Sequence, residues 1–388
     1  MVCELSIVRE HSLGSARSIE WPESSNVFSS AKWLGCDSWR GYIFPSIYYI
    51  LSIMPLCDLC RSRDAVVRQH HSGLRLCRTC FFTNIIARVS GEVFRHGLIR
   101  YGERILMGIS GGKDSFVLLD ILSKIYDPSR LGGVTVIEGI EGYNRAEHID
   151  EIRRAARERG VEIHVVSIKE IWGASVDEMV RLSIGKGLRI SPCTYCGIHR
   201  RKSINLVARE LGYDKVATAH NLDDEVQTIL INIMRGDLER LYMNHPRRPR
   251  ASRLFVEKIK PLRRIYEWET AKYAYLADYK PQEVECPYLE HFPSLRVRVR
   301  DMLYRLETSS PGIMLRLTEW FDKAFDPSRV PRRVELSECS ICGEPTSPGR
   351  SVCKSCELQL KSLGEVRIQR IKDGLSRSGD DPLRSLHR

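Results

Sequence analysis

The apolar positions of this chain change period along its length, and the changes mark out its parts. From Arg104 onward, short apolar runs alternate with segments whose apolar residues recur every three or four positions. Arg104–Ile109 reads as a buried strand and Asp114–Tyr126 as a helix with an apolar face. Gly133–Glu138 reads as the next strand, and Ala146–Arg159 as a charged amphipathic helix. Val161–Ile168 and Asp214–Ala219 add strands, with helices over His199–Leu211 and Leu222–Arg235. Such alternation predicts an α/β fold, a parallel sheet with helices on both faces. Beyond Arg235 the strand signal fades. Residues 240–253 read as a proline-rich basic loop (Arg240, His245, Arg247, Arg248, Arg250, Arg253), followed by helices over Trp268–Tyr279, Leu295–Glu307 and Met314–Phe325. Residues 365–388 are polar and basic, and are expected to fray as a flexible tail.

Residues 1–53 follow neither period. They hold three of the six tryptophans, with four Lys/Arg against five Asp/Glu. A compact metal module would begin naturally at Met54, so this stretch is expected to be an extension outside the working protein. The apolar run Tyr42–Met54 is interrupted by Pro45 and falls short of the roughly 20 residues a membrane span needs, so no membrane association is expected.

Composition is ordinary for a globular protein, with 43% hydrophobic and 28% charged residues among 388. The net charge of +11 favours a polyanionic partner, nucleic acid before acidic membrane. The thirteen cysteines change the picture more. Ten form five Cys-x-x-Cys pairs, a pattern of metal knuckles rather than of a secreted disulfide scaffold, and therefore of a cytoplasmic metalloprotein. Cys57, Cys60, Cys77 and Cys80 form one double knuckle, and Cys339, Cys342, Cys353 and Cys356 another. Each offers four thiolates, the closed tetrahedral set of structural zinc, with no open position for catalysis. His70 and His71 read as surface residues of the first module. Arg61, Arg63, Arg75 and Arg78 beside it suit phosphate-backbone contacts. Arg296, Arg298 and Arg300 can serve likewise, although their spacing spreads them around a helix as a merely solvated face would.

Between the knuckles lies Ser110-Gly111-Gly112-Lys113-Asp114-Ser115, set between a strand and a helix. Glycines let the backbone turn its N–H groups onto phosphate oxygens, the helix start adds a positive dipole end, and Ser110, Ser115 and Lys113 add donors and charge. The loop is neither a Walker A motif, because Met107 and Asp114 stand where Gly and Ser/Thr belong, nor a Gly-x-Gly-x-x-Gly turn. A second strand-to-helix turn, Ala219-His220-Asn221-Leu222-Asp223-Asp224-Glu225, should face the same crevice. Its carboxylates can hold Mg2+ on the phosphates, act as a base, or simply start a helix favourably. Cys193, Cys196 and the lone Cys286 are one thiolate short of closed zinc. They can hold a 4Fe–4S cluster with one open iron, form a redox dithiol, or be structural with Cys286 unrelated.

The hexapeptide resembles the phosphate loop of the PP-loop ATP pyrophosphatases, which implies cleavage of ATP to AMP and pyrophosphate. Together with Cys193-x-x-Cys196-Gly197, His220-Asn221-x-Asp223-Asp224 and Cys286, flanked by two four-cysteine modules, it resembles the TtuA group of tRNA 2-thiouridine synthetases from about Cys57 to Cys356. That resemblance implies an oxygen-sensitive 4Fe–4S cluster on Cys193, Cys196 and Cys286, and a catalytic pair at Arg200 and Asp224. It implies ATP binding by residues 110–115 with Ala219, His220 and Asp223, a uridine at tRNA position 34 or 54 as substrate, and a thiocarboxylated ubiquitin-like protein as sulfur donor. A homodimer is expected. Some relatives have lysine where this chain has Arg200; arginine stays protonated and can neutralise charge but hardly shuttle a proton. TtcA-type cytidine thiolation, and a non-catalytic nucleic-acid-binding zinc protein, are the competing expectations. The expected organisation is a zinc module at 54–90, a catalytic domain at 91–330 and a second zinc module at 331–364.

Overall fold

The computed structural model describes residues 55–368, except 144–145, 248–251, 253, 283, 289–294, 326–335 and 348. The expectations for residues 1–53, for Arg248, Arg250 and Arg253, and for residues 369–388 of the tail lie outside the described residues.

The described chain opens with an antiparallel pair, β1 (Val67–Arg68) and β2 (Arg75–Leu76), and then α1 (Arg78–His96). Cys77 is the N-cap of α1 and Gly97, at φ 59°, closes it. The helix is continuous through residue 90. Its buried residues Phe81, Ile85, Val89 and Val93 pack into the same apolar cluster as the first long strand.

That strand, β3 (Ile105–Gly108), is followed by α2 (Lys113–Ile125), β4 (Leu131–Ile137), α3 (Ala146–Arg157) and β5 (Glu162–Ser167). Two helices not expected from the sequence come next, α4 (Ile168–Trp172) and α5 (Val176–Gly185). The chain continues through α6 (Pro192–Glu210), β6 (Lys215–Ala217), α7 (Leu222–Met234), α8 (Leu238–Asn244) and β7 (Glu257–Ile259). The helices α9 (Glu267–Leu276), α10 (Leu295–Ser309) and α11 (Ile313–Ala324) follow. A second antiparallel pair, β8 (Ser337–Glu338) and β9 (Pro345–Thr346), precedes α12 (Lys354–Leu363).

Three expectations are corrected. The strand signal does not end at Arg235: β7 pairs with β6, and its three residues are too few to show a period. The basic stretch from residue 240 is helical as far as Asn244. The helix expected over His199–Leu211 starts earlier, at Pro192, so Cys193 and Cys196 lie in the first turns of α6.

The five strands stand in the order β5-β4-β3-β6-β7, all parallel. Along β3 the side chains alternate, Ile105 and Met107 joining the cluster on the α1 and α2 side, and Leu106 the cluster beneath α4, α5 and α6. Each such fully buried aliphatic side chain contributes about 1.5–3 kcal/mol. The chain starts at the centre of the sheet, steps outward to β5, then returns to the other side of β3. Ligands of such sheets bind outside the carboxyl ends of the strands at this reversal. Ile105 is in register with Lys215 and Met107 with Ala217, so the segments after β3 and β6 emerge side by side.

Candidate nucleotide and metal sites

The segment after β3 turns sharply at Gly111, whose φ of +81° lies in the left-handed region. A β-carbon there would also sit 3.3 Å from Ile152 Cδ1. Gly112 is the N-cap of α2 and offers no side-chain cap, so the helix start has its N–H groups directed at the crevice. The Ser115 hydroxyl donates to Gly112 O at 2.8 Å and ties the turn to the helix. Lys113 Nζ lies 3.0 Å from Glu267 and 3.2 Å from Asp114. Asp114 in turn accepts from the Thr270 hydroxyl.

On the other side, Asn221 and Asp224 cap α7 reciprocally: Asp224 N donates to Asn221 Oδ1 at 3.1 Å, and Asn221 N to Asp224 Oδ2 at 3.4 Å. Asp224 Oδ1 also lies 3.4 Å from Arg296 Nη1. Burial pushes the Asp224 carboxyl up, with Arg296 opposing and the Asp114 charge adding to the rise. Asp223 points elsewhere. Its Oδ2 accepts from Glu267 N at 2.7 Å, and burial raises its pKa to about 6.

Between these turns lies a cavity of about 300 Å³. Ser110, Gly112, Asp114 and Ser115 form one wall, and Ala219, His220 and Asp224 another. Arg200, from α6, enters from a third side, with its Nη1 3.4 Å from Glu138 Oε1. Gly111, Lys113 and Asp223 border this region without lining the cavity itself. Glu138, Tyr143 and Gln282 also line it and were not anticipated. Glu138 had a readable signal: a carboxylate directly after the apolar strand β4, at the sheet's carboxyl edge.

Cys193 is exposed, while Cys196 and Cys286 are half-buried against the apolar cluster beneath α6. Burial pushes the Cys196 thiol up to about 11, with Arg200 opposing and the other two thiols adding to the rise. Cys286 is raised by burial, with the Cys193, Glu138 and Asp177 charges adding and a backbone hydrogen bond at Tyr288 opposing.

The two double knuckles are tighter. In each, all four sulfurs lie within 4.8 Å of one another, with Cys60 and Cys77 3.8 Å apart and Cys342 and Cys353 3.6 Å apart. Zinc–sulfur bonds of about 2.3 Å in a tetrahedron place sulfurs about 3.8 Å apart, so both groups fit one zinc ion each. Cys193, Cys196 and Cys286 do not form such a group. The second group rests on α6: Lys202 Nζ donates to Cys342 Sγ at 3.2 Å and Cys353 Sγ at 3.1 Å, and Arg209 Nη2 pairs with Glu344 at 2.6 Å.

The histidine reading needs one correction. His70 is exposed, but His71 is mostly buried and stacks on Tyr266 with centroids 5.0 Å apart. The arginines of the first module are partly occupied, Arg75 by Asp58 and Arg78 by the Leu276 carbonyl.

The PP-loop domain family matches residues 83–280, and the N-terminal LIM domain of the 2-thiouridine synthetase TtuA matches residues 56–82. The Cytoplasmic tRNA 2-thiolation protein 1 of Saccharomyces cerevisiae is 31% identical over 330 residues, covering 82% of this chain and 89% of its own length. The tRNA-5-methyluridine(54) 2-sulfurtransferase of Thermus thermophilus is 34% identical over 304 residues, covering 78% and 90%. Among solved structures, the U34-tRNA thiolase NcsA of Methanococcus maripaludis with its 4Fe–4S cluster is 30% identical. It superposes with a TM-score of 0.65, covering 79% of this chain and 96% of that one. With its phosphate loop, its two four-cysteine groups and these relatives, the chain belongs to the tRNA 2-thiolation family of PP-loop enzymes, the tRNA sulfurtransferases.

Proposed function

We propose that this chain uses ATP to activate O2 of a tRNA uridine and exchanges that oxygen for sulfur. The observation that carries the reading is the single cavity shared by the phosphate loop, Asp224 and Arg200 at the sheet's carboxyl edge. The loop N–H groups and Lys113 hold the β and γ phosphates, and Asp114 would hold a Mg2+ ion that supplies charge neutralisation there. His220 and Ala219 border the nucleotide. Uridine O2 bonds to the α-phosphorus, and pyrophosphate leaves. The Asp224 carboxylate, with its raised pKa, accepts the uracil N3 proton as O2 becomes bonded. Arg200, protonated throughout, neutralises charge on the α-phosphoryl oxygens.

Cys193, Cys196 and Cys286 would hold a 4Fe–4S cluster, which leaves one iron without a protein ligand and supplies the sulfur that takes the place of O2. AMP departs with the former O2. Each four-cysteine group would hold a structural zinc ion. A thiocarboxylated ubiquitin-like protein delivers the sulfur, and the enzyme works as a cytoplasmic homodimer. The test is anaerobic reconstitution followed by incubation with ATP, Mg2+, sulfide and unmodified tRNA, with nucleoside mass spectrometry of the product. 2-Thiouridine at position 34 or 54, dependent on ATP, is expected; no thiolated nucleoside from an intact cluster would overturn the reading.

A further inference from the structure

Beside the catalytic cavity is a second opening of about 630 Å³ whose walls carry four arginines from four helices. Arg201 comes from α6, Arg235 from the end of α7, Arg240 from α8 and Arg296 from α10. All four residues are exposed overall, and only two are engaged by carboxylates. Arg240 pairs with Asp237 at 3.2 Å, and Arg296 with Asp224 at 3.4 Å. Arg201 and Arg235 have no ion-pair partner among the described residues.

Holding like charges together without counter-ions is costly, and the fold goes to some length to do so. Arg201 lies next to Arg200, and burial together with that neighbour lowers its pKa. Room for it is made at Gly197, where a β-carbon would stand 3.2 Å from Arg201 Nη1. Arg296 is held by Gln227 at 3.2 Å and by the Thr228 hydroxyl at 3.0 Å, so its position is fixed before any ligand arrives.

The opening is continuous with the reaction site through two of these residues. Arg201 lines both cavities, and Arg296 touches the carboxylate assigned to catalysis. We propose that this arginine-lined opening binds backbone phosphates of the tRNA strand next to the nucleotide held in the catalytic cavity. The inference rests on the tRNA reading above and names where that substrate is gripped. Guanidinium groups match phosphate oxygens bidentately, and such contacts set the register of the strand without reading its sequence. Leu295 and Met243 line the same opening and offer apolar surface to ribose and base faces.

The test uses the reconstituted holoenzyme with charge reversals at Arg235 and Arg240, which lie outside the catalytic cavity. Binding of unmodified tRNA is followed by fluorescence anisotropy from 50 to 200 mM KCl, a range over which phosphate contacts reveal themselves by their salt dependence. The Arg235→Glu/Arg240→Glu variant should bind at least about tenfold more weakly, and its slope of log K against log salt should be shallower by roughly 1 to 2. Lys323→Glu, on the exposed end of α11, changes net charge elsewhere and should bind within about twofold of wild type. Should the reversals lower the unfolding temperature, the Arg235→Ala/Arg240→Ala pair gives the same readout with a milder change. ATP affinity should be unchanged. An unaltered tRNA affinity and slope in both double variants would overturn the proposal. So would weakened ATP or pyrophosphate binding with tRNA unaffected, because the opening would then serve the nucleotide. These outcomes are separable from failure of the catalytic reading. An enzyme that binds tRNA through the arginines but forms no thiolated product sinks only the latter.

Discussion

Asp223 and Asp224 are adjacent in sequence yet meet different surroundings, and the difference gives each a separate test. Asp224 faces the cavity, whereas Asp223 is buried against the first residue of α9, Glu267, with a pKa near 6, above its ordinary 3.8. A carboxyl whose folded pKa is raised holds its proton more tightly when folded. Its ionisation therefore costs stability progressively between about pH 4 and pH 6, and a shift of roughly two units amounts to about 3 kcal/mol above that window. Asp223→Asn keeps an oxygen for the Glu267 N–H and removes the ionisation. The variant should melt at a higher temperature than wild type above pH 6, and the two should converge near pH 4 in melts recorded across that range. Gly111 offers a second test. Alanine there meets the left-handed φ and the side chain of Ile152, a penalty of about 1–2 kcal/mol. Gly111→Ala should weaken ATP binding by about tenfold in calorimetry; an unchanged affinity would show that the turn adapts.

At the scale of elements, α6 does several jobs along one cylinder. Its first turns carry Cys193 and Cys196, Arg200 reaches the cavity one turn later, and Lys202 and Arg209 seat the second four-cysteine group. N–H donors to metal-bound thiolates stabilise their charge, and losing such a partner typically costs 10–100-fold in metal affinity. Lys202→Met should release metal from Cys339, Cys342, Cys353 and Cys356 more readily in chelator competition, while the group at Cys57–Cys80 keeps its ion. Equal release from both groups would refute the role given to Lys202.

The phosphate loop, the His220–Asp224 turn and both double knuckles were legible in the sequence because their chemistry is local, a few residues on one turn. What escaped depends on partners far along the chain. In β7 only Ile259 is fully buried, and its assignment as a strand comes from pairing with β6. The arginine-lined opening gathers residues from positions 201 to 296. The helix α5 is a different case. Ser175 and Glu178 form a capping box that announces its start, and that signal was present to be read.

Across the whole molecule, Arg263 is the knot between distant parts. It is about 1% exposed, and it donates to Glu92 of α1 at 3.0 Å and to both oxygens of Asp322 of α11 at 2.8 Å. Glu225 of α7 lies 3.7 Å from it. Removing one member of a buried ionic group leaves the others uncompensated, at a cost of about 3–5 kcal/mol. Arg263→Met should therefore lower the unfolding free energy by that amount in denaturant titration. A loss below 1 kcal/mol would mean that the carboxylates find other partners.

The unbroken course of α1 bears on how this chain can be recombined with its relatives. The two family matches meet at residues 82 and 83, which would tempt an engineer to splice there. That joint falls within the second turn of a nineteen-residue helix whose apolar face is already committed to the sheet. A chimaera cut at 82/83 would fuse two half-helices fitted to different neighbours. The workable crossover is after Gly97, where the helix has ended and the next strand has not begun.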